Sequence, residues 1–111
     1  KFINEDLKKA FENKDIDWIV VTTYEPFYTS PSTHKAEKVL RDIYHPIFEK
    51  YNVDLVLQAH NHNYQRTYPI SYNSGGDSSE PIVTNQNTER VSIHLLVKHL
   101  TWRTSLVSLD F

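Results

Sequence analysis

Phe2, Ile3, Leu7, Ala10 and Phe11 recur at helical spacing, while Asn4, Glu5, Asp6, Lys8 and Lys9 take the opposite side, which predicts an amphipathic helix ending near Asn13. The period then changes. Residues 18–23 (Trp-Ile-Val-Val-Thr-Thr) are nearly continuous and β-branched, the pattern of a central parallel strand covered on both faces. Tyr24-Glu25-Pro26-Phe27-Tyr28-Thr29-Ser30-Pro31 holds two prolines and is expected to be a loop at the carboxyl end of that strand. A second helix should follow, capped by Ser32 or Thr33, with Ala36, Val39, Leu40, Ile43, Ile47 and Phe48 as its apolar stripe. Pro46 is expected to bend or split it. Tyr51-Asn52 closes the helix, and residues 53–57 read as the next strand.

The order helix, strand, helix, strand argues for a layered α/β fold with its first two strands parallel. Residues 71–90, rich in Ser, Asn, Gly and Thr, read as a mobile loop. Residues 91–97 and 105–111 read as two terminal strands. At 111 residues the chain is expected to be a single domain at most. It starts at Lys1 and contains no methionine, so it is expected to be a partial domain belonging to something longer. A net charge of -2 offers no broad basic field, which argues against a nucleic-acid partner. No apolar run approaches the roughly 18 residues of a membrane span, and no basic-then-apolar leader is seen at the start. With zero cysteines, disulfides and thiolate metal sites are excluded within these residues.

The chemistry concentrates where the second strand stops. His60 and His62 stand two apart, and in open α/β sheets ligands sit outside the carboxyl ends of the strands. Imidazole is the commonest side chain for holding a transition metal near neutral pH. On extended backbone, residues i and i+2 share a face, so both rings could aim at one point. Asn61 and Asn63, interleaved with them, could fix the second ring nitrogen of each from outside. A chance pair of loop histidines is the competing reading.

The longer string resembles a known signature. Metallophosphoesterases of the calcineurin-like superfamily carry a Gly-His-x-His motif, which the purple acid phosphatase branch continues as x-Tyr-Glu-Arg-Thr-Tyr-Pro. Ala59-His60-Asn61-His62-Asn63-Tyr64-Gln65-Arg66-Thr67-Tyr68-Pro69 is similar to it, with Ala59 in place of glycine and Gln65 in place of glutamate. Residues 18–30 likewise resemble that branch's Trp-Ile-Val-Val-x-x-His-x-Pro-x-Tyr-x-Ser stretch. The resemblance implies the carboxyl-terminal half of an α/β/β/α sandwich that hydrolyses phosphomonoesters by metal-activated water. It implies a dinuclear centre of Fe, Zn or Mn ions, with His60 and His62 each a ligand to one ion. It also puts His34 where that branch keeps a histidine that contacts substrate. The alternative for His34 is an exposed place in the first turn of the second helix. Arg66, Tyr64, Tyr68 and Pro69 are expected to brace the ligand loop.

Two departures qualify what the resemblance implies. Tyr24 stands where the family places a metal-binding histidine; it is either a phenolate donor, with Glu25 as a neighbouring carboxylate that could substitute, or a packing residue. The Asp-x-His, Gly-Asp-x-x-Asp and Gly-Asn-His motifs that supply the family's other ligands do not occur here. The chain alone is therefore expected to be catalytically silent, lacking the amino-terminal half of its domain. A different class of function is a degenerate, non-catalytic binding module on the same fold. His94, His99 and Trp102 fit no ligand spacing and are expected to be packing or surface residues.

Overall fold

The computed structural model describes residues 2–30 and 34–84 in full, together with the backbone of Ile93–Leu96 and Val107–Leu109. Helix α1 spans Phe2–Glu12, with Ile3 and Leu7 buried one turn apart. Asn13 ends it by donating its N–H to the carbonyls of Lys9 and Ala10. Strand β1 (Val20–Thr23) starts later than its β-branched run suggests, because Trp18 is 75% exposed and lies outside the sheet. Helix α2 (Lys38–Lys50) leads to β2 (Leu55–Gln58), and the two strands pair in parallel from Val20↔Leu55 to Thr23↔Gln58. Asp54 reinforces that entry by accepting the Ile19 N–H at 2.8 Å.

Strand β3 (Gln65–Arg66) follows the histidine loop, and β4 (Ile70–Ser71) pairs antiparallel with β5 (Ile82–Val83) as a separate ribbon. With β6 (Ile93–Leu96) and β7 (Val107–Leu109) the main sheet has the order β3-β6-β2-β1-β7. Strands β7, β1, β2 and β6 run parallel and only β3 is antiparallel, so β1 and β2 are interior strands, as their sequence implies. The chain is a layered α/β structure. One core joins Ile3 and Leu7 of α1, Val21 and Val56 of the central strands, Phe48 of α2, and Phe27 and Tyr28 of the loop after β1.

Several expectations change. Helix α2 begins at Lys38 rather than near residue 33, because His34 and Glu37 are tied to other chain segments: Glu37 N–H bonds the Pro26 carbonyl at 2.8 Å. The proposed caps Ser32 and Thr33 lie outside the described residues. Of the two outcomes expected at Pro46, a bend or a split, the split does not occur, since the helix runs on through Lys50. The inward face of α2 is also rotated from the apolar stripe: Arg41, His45 and Phe48 are buried, whereas Val39 and Ile43 are 67% and 51% exposed. The segment expected to be a loop, residues 71–90, contains Ser71 of β4 and the whole of β5, and Asn73 braces the turn between them by donating to the carbonyls of Asp77 and Glu80. Residues 85–90, and His99 and Trp102, lie outside the described residues.

The rotation of α2 has a polar cause. The Arg41 guanidinium bonds the Phe27 carbonyl at 2.8 Å and Ser78 Oγ at 3.2 Å, and lies over the Tyr28 ring. His45, fully buried, meets the Tyr28 hydroxyl through Nδ1 at 2.7 Å, and its Nε2 lies 3.7 Å from Glu49. Glu49 in turn accepts the Tyr72 N–H, and the Tyr72 hydroxyl donates to Asp42, which is also paired with Lys38. Buried polar groups persist only when satisfied, so this network fixes the helix against the 72–78 segment.

It also sets a pH dependence. Burial, with Arg41 nearby, pushes the His45 pKa from 6.5 down to about 4. The folded protein therefore holds His45 neutral where the unfolded chain would protonate it. Stability is expected to be full above about pH 6.5, to fall by on the order of 3 kcal/mol as pH drops toward 4, and to lose nothing further from this group below that. Burial raises the Glu49 pKa, an effect that opposes this trend. Urea midpoints measured between pH 7 and 4 check the slope, and His45→Gln should flatten it.

Candidate metal centre at the carboxyl edge of the sheet

The parallel register carries the site. Because Thr23 and Gln58 are paired at the ends of their strands, the next residues, Tyr24-Glu25 and Ala59-His60, leave the sheet side by side at one edge. Thr23 bends the first of these exits by donating its hydroxyl to the Glu25 carbonyl at 2.9 Å. His60 takes the other turn with φ of +70°, a left-handed conformation uncommon for a residue with a β-carbon. Such backbone costs about 1 kcal/mol or more and tends to persist where a side chain must be aimed.

Around His60 three other groups gather. Its Nδ1 lies 3.0 Å from the Tyr24 hydroxyl, and the two ring centroids are 4.9 Å apart. Its Nε2 lies 4.0 Å from Glu25 Oε2. The His34 ring stacks on it at 3.5 Å between centroids and 23° between planes. With Nδ1–H donating to the phenol oxygen, Nε2 is left as the bare nitrogen on the side of Glu25; with the phenol donating, Nε2 carries the proton. The contact with Tyr24 accommodates either tautomer of His60.

His62 is exposed and makes no hydrogen bond, ion pair or ring contact among the described residues. The strand-alternation argument for aiming both rings at one point does not carry over, because β2 ends at Gln58 and residues 60–63 are bends. Among the described residues, no three His, Asp or Glu side chains converge in a manner that could hold an ion. The chemistry of the donors nonetheless suits a transition metal: imidazole with carboxylate and phenol oxygen is a borderline-to-hard set. These residues fit as part of a ligand shell, not as a whole one.

Three amide side chains stitch the two loops together, and the sequence reading gave none of them that task. Gln58, buried as the last residue of β2, accepts the N–H groups of Phe27 and Tyr28 through Oε1 and donates to the Tyr28 carbonyl at 3.3 Å. Asn61, also buried, accepts the His34 N–H and donates to the His34 carbonyl, both at 3.0 Å, and donates to Thr29 Oγ1 at 3.1 Å. Asn61 was expected to orient a ligand ring; the bonds seen here clamp the backbone of His34, and the ring partner of His60 is Tyr24. Gln65 accepts from Thr29 Oγ1 at 3.0 Å and Ser30 N–H at 2.8 Å, and donates to Asn63 at 3.2 Å. Its amide oxygen does what a carboxylate would do for the first two bonds. A glutamine closing an apolar run was the available signal for Gln58.

An open parallel sheet that collects imidazole, phenol and carboxylate groups at one carboxyl edge falls in the class of α/β proteins whose chemistry lies beyond the strand ends. The chain belongs to the calcineurin-like phosphoesterase family, whose model matches residues 1–64. Within that family it is related to purple acid phosphatases. It is 34% identical to the Fe(3+)-Zn(2+) purple acid phosphatase 12 of Arabidopsis thaliana over 74% of this chain and 18% of the relative. It is 31% identical to the acid phosphatase type 7 of Homo sapiens over 86% of this chain and 24% of the relative. With the purple acid phosphatase 1 of Ipomoea batatas the identity is 32%, over 64% of this chain and 15% of the relative. The chain spans a quarter or less of the length of these relatives. Among the described residues no helix is long and apolar enough to cross a membrane.

Proposed function

We propose that this chain is the carboxyl-terminal part of the catalytic domain of a purple-acid-phosphatase-type metallophosphoesterase, which hydrolyses phosphomonoesters with a metal-activated water. The observation that carries this reading is the Thr23↔Gln58 register, which sets Tyr24 and Glu25 beside His60 in a chain of a phosphoesterase family. His60, through Nε2, and His62 each hold one of two ions of the Fe, Zn or Mn type, and the Tyr24 oxygen or the Glu25 carboxylate fills the place of the family's histidine. The other ligands come from the amino-terminal half of the domain, so residues 1–111 alone are silent. Bound ions would supply positive charge to the phosphoryl group and lower the pKa of the attacking water. His34, fixed by Asn61 and stacked on His60, stands within reach of an ester held there, to bind a phosphoryl oxygen or protonate the leaving alcohol.

The test is metal analysis together with hydrolysis of p-nitrophenyl phosphate by the protein that carries this chain. About two transition ions and turnover are expected. Tyr24→His should leave the ion content unchanged, since an oxygen donor already serves that position. A gain of about one ion would instead favour the second reading, a degenerate binding module, to which Tyr24, standing where the family places a histidine, also points.

A further inference from the structure

A second feature opens beside the histidine loops. Between residues 28–30, 65–70 and 79–83 lies a cleft of about 330 Å³, within the size range of small-molecule sites. Ile70, Pro81 and Val83 contribute apolar walls, Tyr28 and Tyr68 aromatic ones, and Arg66 a guanidinium with no hydrogen bond or ion pair among the described residues. Among the described residues the other charged group of its lining is Arg41, already bonded to Phe27 and Ser78, and no Asp or Glu lines it. The cleft is therefore apolar, aromatic and positive. Its wall is also a wall of the histidine site: Thr29, which lines the cleft, takes a hydrogen bond from Asn61, and Asn61 holds His34 against His60.

We propose that this cleft is a subsite for a planar aromatic group bearing an anionic substituent, the organic half of an ester presented to the neighbouring histidines. The ester rests on the phosphoesterase reading; the ring and its charge do not. The ring lies against Tyr68, Ile70 and Val83, and the anion pairs with Arg66, a planar donor fork that matches a carboxylate. Chemical complementarity favours the class: a neutral ligand would forgo the attraction of Arg66, and an aliphatic chain would forgo the aromatic walls.

The probe is 4-hydroxybenzoate, with phenol as its uncharged counterpart, and binding to the protein is read by saturation-transfer NMR. The carboxylate compound should bind more tightly. Arg66→Gln should weaken it about tenfold and leave phenol alone, while Val83→Trp, which fills the cleft, should weaken both. Arg66 and Val83 are both exposed, so neither change reaches the core. In turnover, Arg66→Gln should raise KM for 4-carboxyphenyl phosphate relative to phenyl phosphate by a similar factor, with inhibition by inorganic phosphate unmoved. Equal binding of the two probes, or indifference to both variants, overturns the subsite even if phosphate esters are cleaved. Selective, Arg66-dependent binding in a protein that cleaves no ester upholds the subsite and removes the phosphatase reading.

Discussion

His62→Ala is expected to lower phosphomonoester turnover by about a thousandfold or more, while the fold stays intact. Loss of a group beside a metal ligand already costs roughly 10- to 100-fold, and loss of the ligand itself removes the charge stabilisation as well as its orientation. Structural cost should be small, because His62 is exposed and makes no hydrogen bond, ion pair or ring contact among the described residues; surface changes of that kind stay within about 0.5 kcal/mol. The pairing of these two outcomes is what matters. Steady-state kinetics with p-nitrophenyl phosphate and a thermal melt on the same sample measure both, and near-full activity would remove His62 from the site.

Gln58→Met should do the reverse, striking the fold first and the chemistry through it. Methionine keeps the volume but deletes the acceptor that serves Phe27 and Tyr28 N–H, and the donor that meets the Tyr28 carbonyl. Buried groups that lose a partner cost about 1–3 kcal/mol each, so a loss of roughly 2–5 kcal/mol is expected, or about 10–20 °C in Tm for a domain of this size. Because Gln58 holds the loop that carries Tyr24 and Glu25 away from β1, the surviving folded protein should also bind metal less tightly. A Tm within 3 °C of the unsubstituted protein would mean that the amide clamp contributes little.

Where the sequence speaks through period, it predicts the fold well. The spacing of Ile3 and Leu7 gives α1, and two runs of branched residues give the parallel interior strands β1 and β2. Period fails where polar side chains point inward. Arg41 and His45 belong to the buried face of α2 because Phe27, Ser78 and Tyr28 meet them there, partners that lie 14 to 37 residues away in the chain. The ribbon of β4 and β5 is missed for a related reason: two-residue strands carry too little alternation to be recognised. At the site, motif resemblance points to Tyr24, His34, His60 and His62; the fold gathers the first three with Glu25 and leaves His62 exposed. The stitches made by Gln58, Asn61 and Gln65 are long-range contacts between loops, which local sequence does not encode.

The left-handed backbone of His60 and its bond to Tyr24 tie the two halves of this account together. A strained turn is retained where the ring it aims has work to do, and the ring it aims here faces a carboxylate and a second imidazole.

The most direct test of the central claim is the transition-metal content of the protein that carries this chain, purified without chelator, compared with that of its His60→Ala and His62→Ala variants. The account predicts about two ions in the unsubstituted protein and the loss of about one in each variant, with secondary structure unchanged by circular dichroism. Equal metal content in all three would contradict it.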